Sequence, residues 1–309
     1  MLVTIWMKWD AFWFKPKSTI PISCFRIVFG LLLLTYGIAY LYPELFTFFG
    51  EHRAITQQTA SLWWKNPGID LLLFWPQTDA WITAWYAIFI LASISLTVGF
   101  CTRASAFVIW LWLVSMHHET FVYANGGDVL MRLSAFYLIF SFAGETYSVD
   151  SILSKAKDQL AAQPKPPWAQ RLLQLQLAAV YFQCFWTKLL GKVWLDGSAV
   201  YYILNTEHYR HVGLAQLTSN FFLCQILSWL TLATEFSLFT LIWFKKTRHL
   251  ALALGVLFHL GIDVFMNLPM FEYYFVALYI LFLDDAEIRK FFAIMDCLFK
   301  RKRWTAKQA

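Results

Sequence analysis

Apolar residues occur along this sequence in long stretches, and short polar segments separate them. A helix needs about 20 mostly apolar residues to cross the hydrocarbon core of a bilayer, and fewer where neighbouring helices shield its ends. Eight stretches come near that length, at residues 19–42, 80–100, 103–118, 128–144, 168–190, 221–244, 249–266 and 270–284. The pattern predicts an all-α integral membrane protein with about eight transmembrane helices.

Aromatic residues mixed with charges flank the apolar stretches and predict interfacial helices. Residues 1–18 combine tryptophan and phenylalanine with lysines, which is typical of a segment that lies in the plane of the membrane surface. Residues 43–79 are predicted to include a second interfacial helix, anchored by Trp63, Trp64 and Trp75. The predicted organisation is an N-terminal interfacial segment (1–18), a transmembrane domain (19–285) and a basic cytoplasmic tail (286–309).

The composition agrees with lipid as the main solvent of the chain. Hydrophobic residues make up 59% of the sequence and charged residues only 14%, whereas a soluble domain has about 25% charged residues. The net charge of +6 is spread over short basic clusters between apolar runs. Such clusters indicate membrane topology rather than a phosphate-binding face. We therefore expect the lipid bilayer as a partner and no nucleic acid.

The distribution of the basic residues predicts how the chain is oriented. Eighteen of the 25 lysines and arginines fall in the terminal segments and in the loops that would share their side. The loops on the other side hold only Arg53, Lys65, Lys192 and Arg210. Because loops rich in Lys and Arg stay on the cytoplasmic side, we expect a multi-pass protein of the inner or plasma membrane with both termini in the cytoplasm.

A lysine ends the fifth predicted span. Lys188 follows Gln174 and Tyr181 at seven-residue spacing, so the three form a polar stripe on one helix face. Charged groups are costly in lipid and usually face the bundle interior or a cavity. One interpretation is that the amine extends to the membrane surface. The other is that an apolar pocket desolvates it, so that it acts as a base.

Other polar residues of the spans occur four positions apart, on one face of a helix. His259 and Asp263 would form a general base if the carboxylate orients the imidazole, and a structural pair is the alternative. Asp128 and Arg132 predict a structural ion pair. In the predicted topology all four lie towards the extracytoplasmic side, which indicates one cavity that opens there.

Two further groups of polar residues in the spans are interpreted as structural. Arg26 and Glu235 lie nearer the middle of their spans, and we hypothesise that they neutralise each other between the first and sixth spans. The sequence "HHE" at 117–119 contains metal-ligand types, but adjacent helical residues diverge by about 100°. No metal site is therefore expected.

Five stretches, kept in order along the chain, carry a resemblance to a known family. They are "SCFRIVFGLLLL" (23–34), "VGFCTRASAFVIWLW" (98–112), "NGGDVLMRLSAFYLIFSFAGETYSVDSIL" (125–153), "VYFQCFWTKLLGKVWLDGSAVYYIL" (180–204) and "LFHLGIDVFMNLPMFEYYF" (257–275). Over roughly residues 16–290 the chain resembles the HTTM (horizontally transferred transmembrane) domain family, which is related to the membrane domain of vitamin K-dependent gamma-carboxylase. The resemblance implies a gamma-carboxylase-like bundle.

The resemblance also implies where chemistry would take place. The carboxylase has two adjacent lysines at the outer end of the corresponding helix, and the second is thought to deprotonate a reduced quinone. Lys188 matches the first lysine and Leu189 stands at the second position. His259 matches a carboxylase histidine, while Gly127 replaces another. The implied cofactor is a reduced, vitamin K-like quinone, and the implied enzyme is carboxylase- or epoxidase-like (a quinol oxygenase or a carbon–carbon lyase).

Two functions remain open from the sequence. The first is an enzyme that acts on a quinone- or lipid-like substrate at an extracytoplasmic site. The expected catalytic residues are Lys188, His259 and Asp263, and the expected substrate-binding residues are Trp194, Asp196, Asn125, Asp128, Arg132 and Tyr181. The alternative is a non-redox membrane factor for the maturation or export of a secreted peptide. That peptide would be its partner, and the same residues would bind a peptide carboxylate or hold the bundle together.

Overall fold

The structure is a computed structural model that describes residues 2–56, 59, 78–119, 125–158, 163–206, 219–266, 268 and 270–305. Within these residues the regular secondary structure is helical, apart from one isolated β-bridge between Lys17 and Lys165. The all-α class expected from the sequence is confirmed. The predicted interfacial helix with Trp63, Trp64 and Trp75 lies outside the described residues.

The first half of the described chain contains one long composite helix and several regular ones. In chain order they are α1 (Leu2–Phe14), α2 (Ile20–Thr35), a π-helical segment (Tyr36–Leu41), α3 (Tyr42–Phe49), α4 (Asp79–Val98) and α5 (Thr102–Glu119). The π-helical segment ends two residues before Pro43, in the turn whose carbonyl groups that proline would meet. In a regular α-helix the proline ring clashes with the carbonyl group four residues earlier, and the wider π turn relieves that clash.

The second half contains the helices that position the site. They are α6 (Gly126–Ile139), α7 (Val149–Asp158), α8 (Trp168–Leu189), α9 (Lys192–Leu195), α10 (Ala199–Asn205), α11 (Phe221–Phe239), α12 (Arg248–Phe265), α13 (Phe271–Tyr279) and α14 (Asp285–Thr305). Two short 3₁₀ segments, Leu241–Trp243 and Ile280–Phe282, extend α11 and α13. The C-terminal residues predicted as a basic tail thus include a helix.

Some of the helices are long and apolar enough to cross a membrane. Four segments of the described chain meet that description, namely Ile20–Phe49, Asp79–Val98, Phe221–Trp243 and Arg248–Phe265. They coincide with the first, second, sixth and seventh predicted spans, so the chain is a multi-pass membrane protein. The other four predicted spans fall on α5, α6, α8 and α13, which are shorter or contain more polar residues. The total of eight spans stays a prediction.

The helices pack around one main hydrophobic core. α2 packs against α4, α4 against α5 and α5 against α6, while α8, α11, α12 and α13 form the other part of the bundle. The contact between α2 and α4 is very close at Gly30, where an added Cβ atom would meet the Thr97 side chain. Large apolar residues such as Leu91, Phe222 and Leu250 are exposed on the outside. Exposed apolar surface of this kind is what a lipid environment covers.

The buried Arg26 has a different partner from the one expected. Its Nη1 atom donates a hydrogen bond to the carbonyl oxygen of Ala143 at 3.1 Å, and Nη2 donates to that of Tyr147 at 2.6 Å. The hypothesis that Arg26 pairs with Glu235 is therefore wrong. The segment after α6 instead wraps around the guanidinium, so α6 ends at Ile139 and not near residue 144 as predicted.

Candidate functional site

A cavity of about 430 Å³ lies between α8, α11, α12 and α13, with α9 and α10 contributing to its wall. Its lining is mostly apolar and includes Leu227, Leu230, Leu254, Leu257, Phe258 and Ile262. Of the site residues expected from the sequence, it brings together Lys188, His259, Tyr181 and Trp194. This cavity is the candidate functional site.

An ion pair lies in the wall of this cavity. The Nζ atom of Lys188 is 2.5 Å from the Oε1 atom of Glu235 and donates a hydrogen bond to it. The Lys188 side chain is 22% exposed and that of Glu235 only 3%. The amine also lies 5.2 Å from the centre of the Trp194 ring, within the range of a cation–π contact. Lys188 therefore faces the cavity and does not extend to the surface of the bundle.

Glu235, which was expected from the sequence to pair with Arg26, belongs to this site. Its Oε2 atom is buried and has no hydrogen-bond partner in the described part of the chain. Buried polar atoms nearly always have a partner, so this oxygen offers an acceptor for a donor group on a molecule in the cavity. The signal in the sequence was a single carboxylate within an apolar span, but the spacing along the chain did not indicate its partner.

A chain of hydrogen bonds forms a second polar feature of the cavity. The Tyr181 hydroxyl is 2.7 Å from the Nε2 atom of His259 and 2.7 Å from the Tyr279 hydroxyl. The imidazole stacks on the Phe275 ring, with 4.9 Å between the ring centres. Its Nδ1 atom has no hydrogen-bond partner among the described residues. The three hydrogen-bonded side chains can thus pass a proton among themselves. The Nδ1 atom of the imidazole remains available to a molecule in the cavity.

Local sequence explains why these side chains meet. The polar stripe predicted on α8 is confirmed, because Gln174 and Tyr181 are buried and Lys188 turns inward. On α12, an added Cβ atom at Gly255 would lie 2.5 Å from the Tyr279 hydroxyl oxygen. Glycine at this position therefore leaves room for the Tyr279 hydroxyl that bonds to Tyr181.

The turn after α8 is held against α11 by hydrogen bonds. The Ser228 hydroxyl donates to the carbonyl oxygen of Gly197 at 2.9 Å, and the Trp229 indole donates to that of Leu195 at 3.1 Å. Gly197 has a φ of +82°, and a Cβ atom added to it would lie 3.0 Å from Gln225, so a side chain there would be both strained and crowded. These contacts fix the turn that carries Trp194 over the Lys188 amine.

Asp196 belongs to this turn, but its carboxylate does not line the cavity. Its Oδ1 atom accepts hydrogen bonds from the Ser198 hydroxyl at 2.6 Å and from the Ser198 backbone N–H at 2.9 Å. These two bonds hold the pKa of the exposed Asp196 carboxyl below its usual value. The arrangement is that of a carboxylate that stabilises a turn.

Asp263 also lies outside the lining of the cavity. Its Oδ2 atom accepts a hydrogen bond from the Tyr273 hydroxyl at 3.0 Å. Since His259 bonds to Tyr181 through Nε2 and has no described partner at Nδ1, the expected hydrogen bond between His259 and Asp263 does not form. Helical spacing placed the two residues on one face, but α13 supplied a nearer partner for the carboxylate.

The residues at the start of α6 form a helix cap away from the cavity. The Asn125 side chain accepts hydrogen bonds from the N–H groups of Gly127 and Asp128, and Asp128 accepts one from the Asn125 N–H at 2.7 Å. This is a capping box. The other Asp128 oxygen is 3.8 Å from Nε2 of His117. No ion pair joins Asp128 to Arg132 within the described residues, so that expected pair is wrong.

Gly127 lies at the start of α6, where the neighbouring atoms leave little room for a side chain. A Cβ atom added at Gly127 would lie 2.9 Å from the Asn125 side-chain oxygen and 3.1 Å from the Cα atom of Phe271. The second contact involves backbone, which cannot move aside easily. α13 therefore packs too closely against the start of α6 for any side chain at this position.

The fold and the cavity define a class of protein, namely a multi-pass membrane protein whose helices enclose a mostly apolar cavity with a partly buried lysine–glutamate pair. The model of the HTTM domain family matches residues 14–286, which is most of the chain. The chain therefore belongs to the HTTM family, as its sequence motifs predicted. No solved structure matches it.

Proposed function

We propose that this protein is a membrane enzyme that binds a reduced quinone, or a lipid-like compound with a similar hydroxyl group, in the cavity. The Lys188–Glu235 pair would accept a proton from that hydroxyl group. The observation that carries the proposal is the position of this pair, with one unpartnered carboxylate oxygen, in an otherwise apolar wall. Titratable groups placed in such a cavity are typical of functional sites.

The size and lining of the cavity support an apolar substrate. Its volume of about 430 Å³ lies within the usual range of small-molecule sites, about 300–1,000 Å³. Leucine and phenylalanine side chains would contact a ring system or an isoprenoid tail, and a few polar groups would fix its orientation. Such a compound dissolves in the lipid phase, where this protein also resides.

The charges support proton removal from the substrate. The free Glu235 oxygen would accept the proton, and the adjacent Lys188 cation would stabilise the oxyanion that forms. A charge acts more strongly in an apolar cavity than in water. The neutral His259–Tyr181–Tyr279 group would orient the other end of the ring. With dioxygen as oxidant, the reduced quinone would lose two hydrogen atoms and gain one oxygen atom as an epoxide, while the second oxygen atom leaves as water.

Oxygen uptake tests this proposal. The purified protein in lipid nanodiscs would receive reduced naphthoquinones, and mass spectrometry would follow the epoxide. Removal of a general base costs about 10²- to 10⁴-fold in rate, and removal of a group that stabilises an oxyanion costs about 10²- to 10³-fold. Glu235→Gln and Lys188→Ala should therefore each lose at least about 100-fold. Lys192→Ala, which changes an exposed lysine on α9, is the matched control and should keep full activity.

The Lys188→Arg variant tests whether Lys188 transfers a proton or only supplies a positive charge. Arginine keeps the charge next to Glu235 but does not release a proton near neutral pH. Because Glu235 is the proposed proton acceptor and Lys188 the stabilising cation, Lys188→Arg should keep most of the turnover. Loss of turnover with retained folding would mean that Lys188 itself transfers the proton and would contradict this division of roles.

The alternative of a peptide-maturation factor has weaker support from the geometry. In that hypothesis Lys188 binds the carboxylate of a secreted peptide, but Glu235 already supplies its counter-ion. Folded protein that takes up no oxygen with any of the quinols and forms no epoxide would overturn the quinone proposal. The search would then turn to a secreted peptide partner.

A further inference from the structure

A second cavity, of about 520 Å³, lies near the N-terminal end of α8, at the opposite end of that helix from Lys188. Its wall comes from the end of α1, the segment before α2, the first turns of α8 and the residues next to the two 3₁₀ segments. We call it the basic pocket because its charged lining consists of four cations and two carboxylates: Lys17, Arg171, Lys245, Arg248, Asp284 and Asp285.

Neutral acceptors hold the two arginines of the basic pocket in place. Arg171 donates from Nη1 to the Gln174 side-chain oxygen at 2.7 Å and from Nε to the Phe12 carbonyl oxygen at 3.3 Å. Arg248 donates from Nε to the Ile242 carbonyl oxygen at 3.3 Å. These bonds fix the direction of each guanidinium without cancelling its charge, and they leave further N–H donors for a ligand.

The carboxylates of the pocket compensate these charges incompletely. Asp284 lies 3.7 Å from both the Lys245 amine and the Arg248 guanidinium. Both distances exceed the roughly 2.7–2.9 Å of a charge-assisted hydrogen bond. Burial, and next the neighbouring Arg171, lower the pKa of the Lys17 amine below its usual value. The pocket therefore has an excess of positive charge that an anion would relieve.

The surroundings of the basic pocket indicate that this anion belongs to a lipid. α1 exposes the large apolar side chains Ile5, Trp6, Trp9 and Phe14. A helix with exposed aromatic residues and lysines lies at the boundary between headgroups and acyl chains. The next turn of α1 contributes Phe12 to the pocket, and the Arg171 guanidinium lies 4.5 Å from the centre of that ring. If α1 lies in this boundary region, the pocket beside it opens at the depth of the headgroups.

We propose that the basic pocket binds the phosphate group of an anionic phospholipid from the adjacent leaflet. The positive-inside distribution assigns this end of the bundle to the cytoplasmic leaflet, where anionic lipids attract basic segments. A bound headgroup would connect α1 and the segment before α2 to the first turns of α8 and α12. The site is separate from the Lys188 cavity, and it does not depend on the proposed enzyme activity.

Native mass spectrometry of the delipidated full chain in detergent tests this proposal. Phosphatidylglycerol and zwitterionic phosphatidylcholine would be titrated separately, and inorganic phosphate would be added as a competitor. The first variant is Lys17→Gln with Lys245→Gln, because both lysines line the pocket and both residues are largely exposed. Arg171→Gln is the second variant. Arg289→Gln, which removes an exposed cation outside the pocket, is the matched control.

The proposal predicts preferential binding of phosphatidylglycerol by the wild type and by Arg289→Gln. Each cation near a membrane surface contributes about 1 kcal/mol, or about fivefold, so the double variant should bind phosphatidylglycerol about 25-fold more weakly. Arg171→Gln should show a loss in the same direction. Equal binding of both lipids, or unchanged binding in folded pocket variants, would overturn the proposal. Displacement of phosphatidylglycerol by millimolar inorganic phosphate would also overturn it, because the ligand would then be a soluble anion.

Discussion

The amine of Lys188 and the carboxylate of Glu235 form an ion pair at 2.5 Å, although 47 positions separate the two residues in the sequence. The pair joins the last turn of α8 to the C-terminal part of α11 beside an apolar cavity. Glu235 is buried and Lys188 is half-buried, and each charge is tolerated there because the other is present. This relationship makes the pair testable through stability as well as through activity.

Substitution of one member of the pair should destabilise the protein more than substitution of both. Lys188→Met leaves a buried carboxylate unpaired, and Glu235→Leu leaves the lysine without its counter-ion. Breaking a buried pair in this way costs about 3–5 kcal/mol, whereas an apolar replacement of both partners is often neutral. Thermal unfolding in detergent micelles would measure all three variants, with Lys192→Met as the control. Single variants that melt like the wild type would contradict a buried pair.

Loss of the Tyr181 hydroxyl should cost stability through its two neighbours. Tyr181→Phe removes the hydrogen bonds to Nε2 of His259 and to the Tyr279 hydroxyl and leaves both groups buried. An unsatisfied buried polar group costs about 1–3 kcal/mol. The unfolding temperature should therefore fall, while Tyr202→Phe, which changes an exposed ring, should leave it unchanged. An equal effect of the two substitutions would argue against the hydrogen-bonded chain.

Two glycines on α12 should respond in opposite ways to alanine. At Gly255 the added methyl group would meet the Tyr279 hydroxyl oxygen at 2.5 Å, whereas at Gly261 no heavy atom lies within 4 Å. Overpacking costs about 1–3 kcal/mol, and alanine in a helix is favoured over glycine by up to about 1 kcal/mol. We expect Gly255→Ala to lower the melting temperature and Gly261→Ala to leave it unchanged or raise it. The reverse order would show that α12 packs differently against α13.

Two adjacent glycines at the start of α6 offer a second matched pair of substitutions. Gly127→Ala should destabilise the protein by about 1–3 kcal/mol because the methyl group meets the Phe271 backbone. Gly126→Ala meets only the edge of the Phe271 ring, at 3.3 Å, so a small shift of that side chain accommodates it. Melting curves of both variants in one detergent would compare them. If Gly127→His folds as well as the wild type, the close packing of α13 on α6 is wrong.

Local properties of the sequence were enough to predict the class of this protein. The length of an apolar stretch and the number of charges in it decide whether a helix can lie in lipid, and neither depends on the rest of the fold. The stripe of Gln174, Tyr181 and Lys188 was predictable for the same reason, since helical periodicity alone sets which face they share. The number of spans was harder to predict. For example, α8 is long enough to cross a bilayer but contains several polar residues, and only neighbouring helices shield these from lipid.

The partners of the polar side chains were not predictable from spacing. His259 and Asp263, and likewise Asp128 and Arg132, lie four residues apart, yet each of the two carboxylates has a partner other than the one its spacing predicted. A long side chain in a bundle can reach several helices, and the nearest donor is frequently on another one. Which helix that is depends on crossing positions and on small residues such as Gly255 and Gly127.

Sequence alone therefore decided that this chain is a helical membrane protein of the HTTM family, with polar residues on inward faces of its spans. The tertiary structure decided that Lys188 meets Glu235 and not the membrane surface, that Tyr279 joins Tyr181 and His259, and that the basic pocket gathers cations from four separate segments. The physical reason is that hydrophobicity and periodicity act within one helix, whereas burial of a charge is tolerated only where packing brings its partner from another.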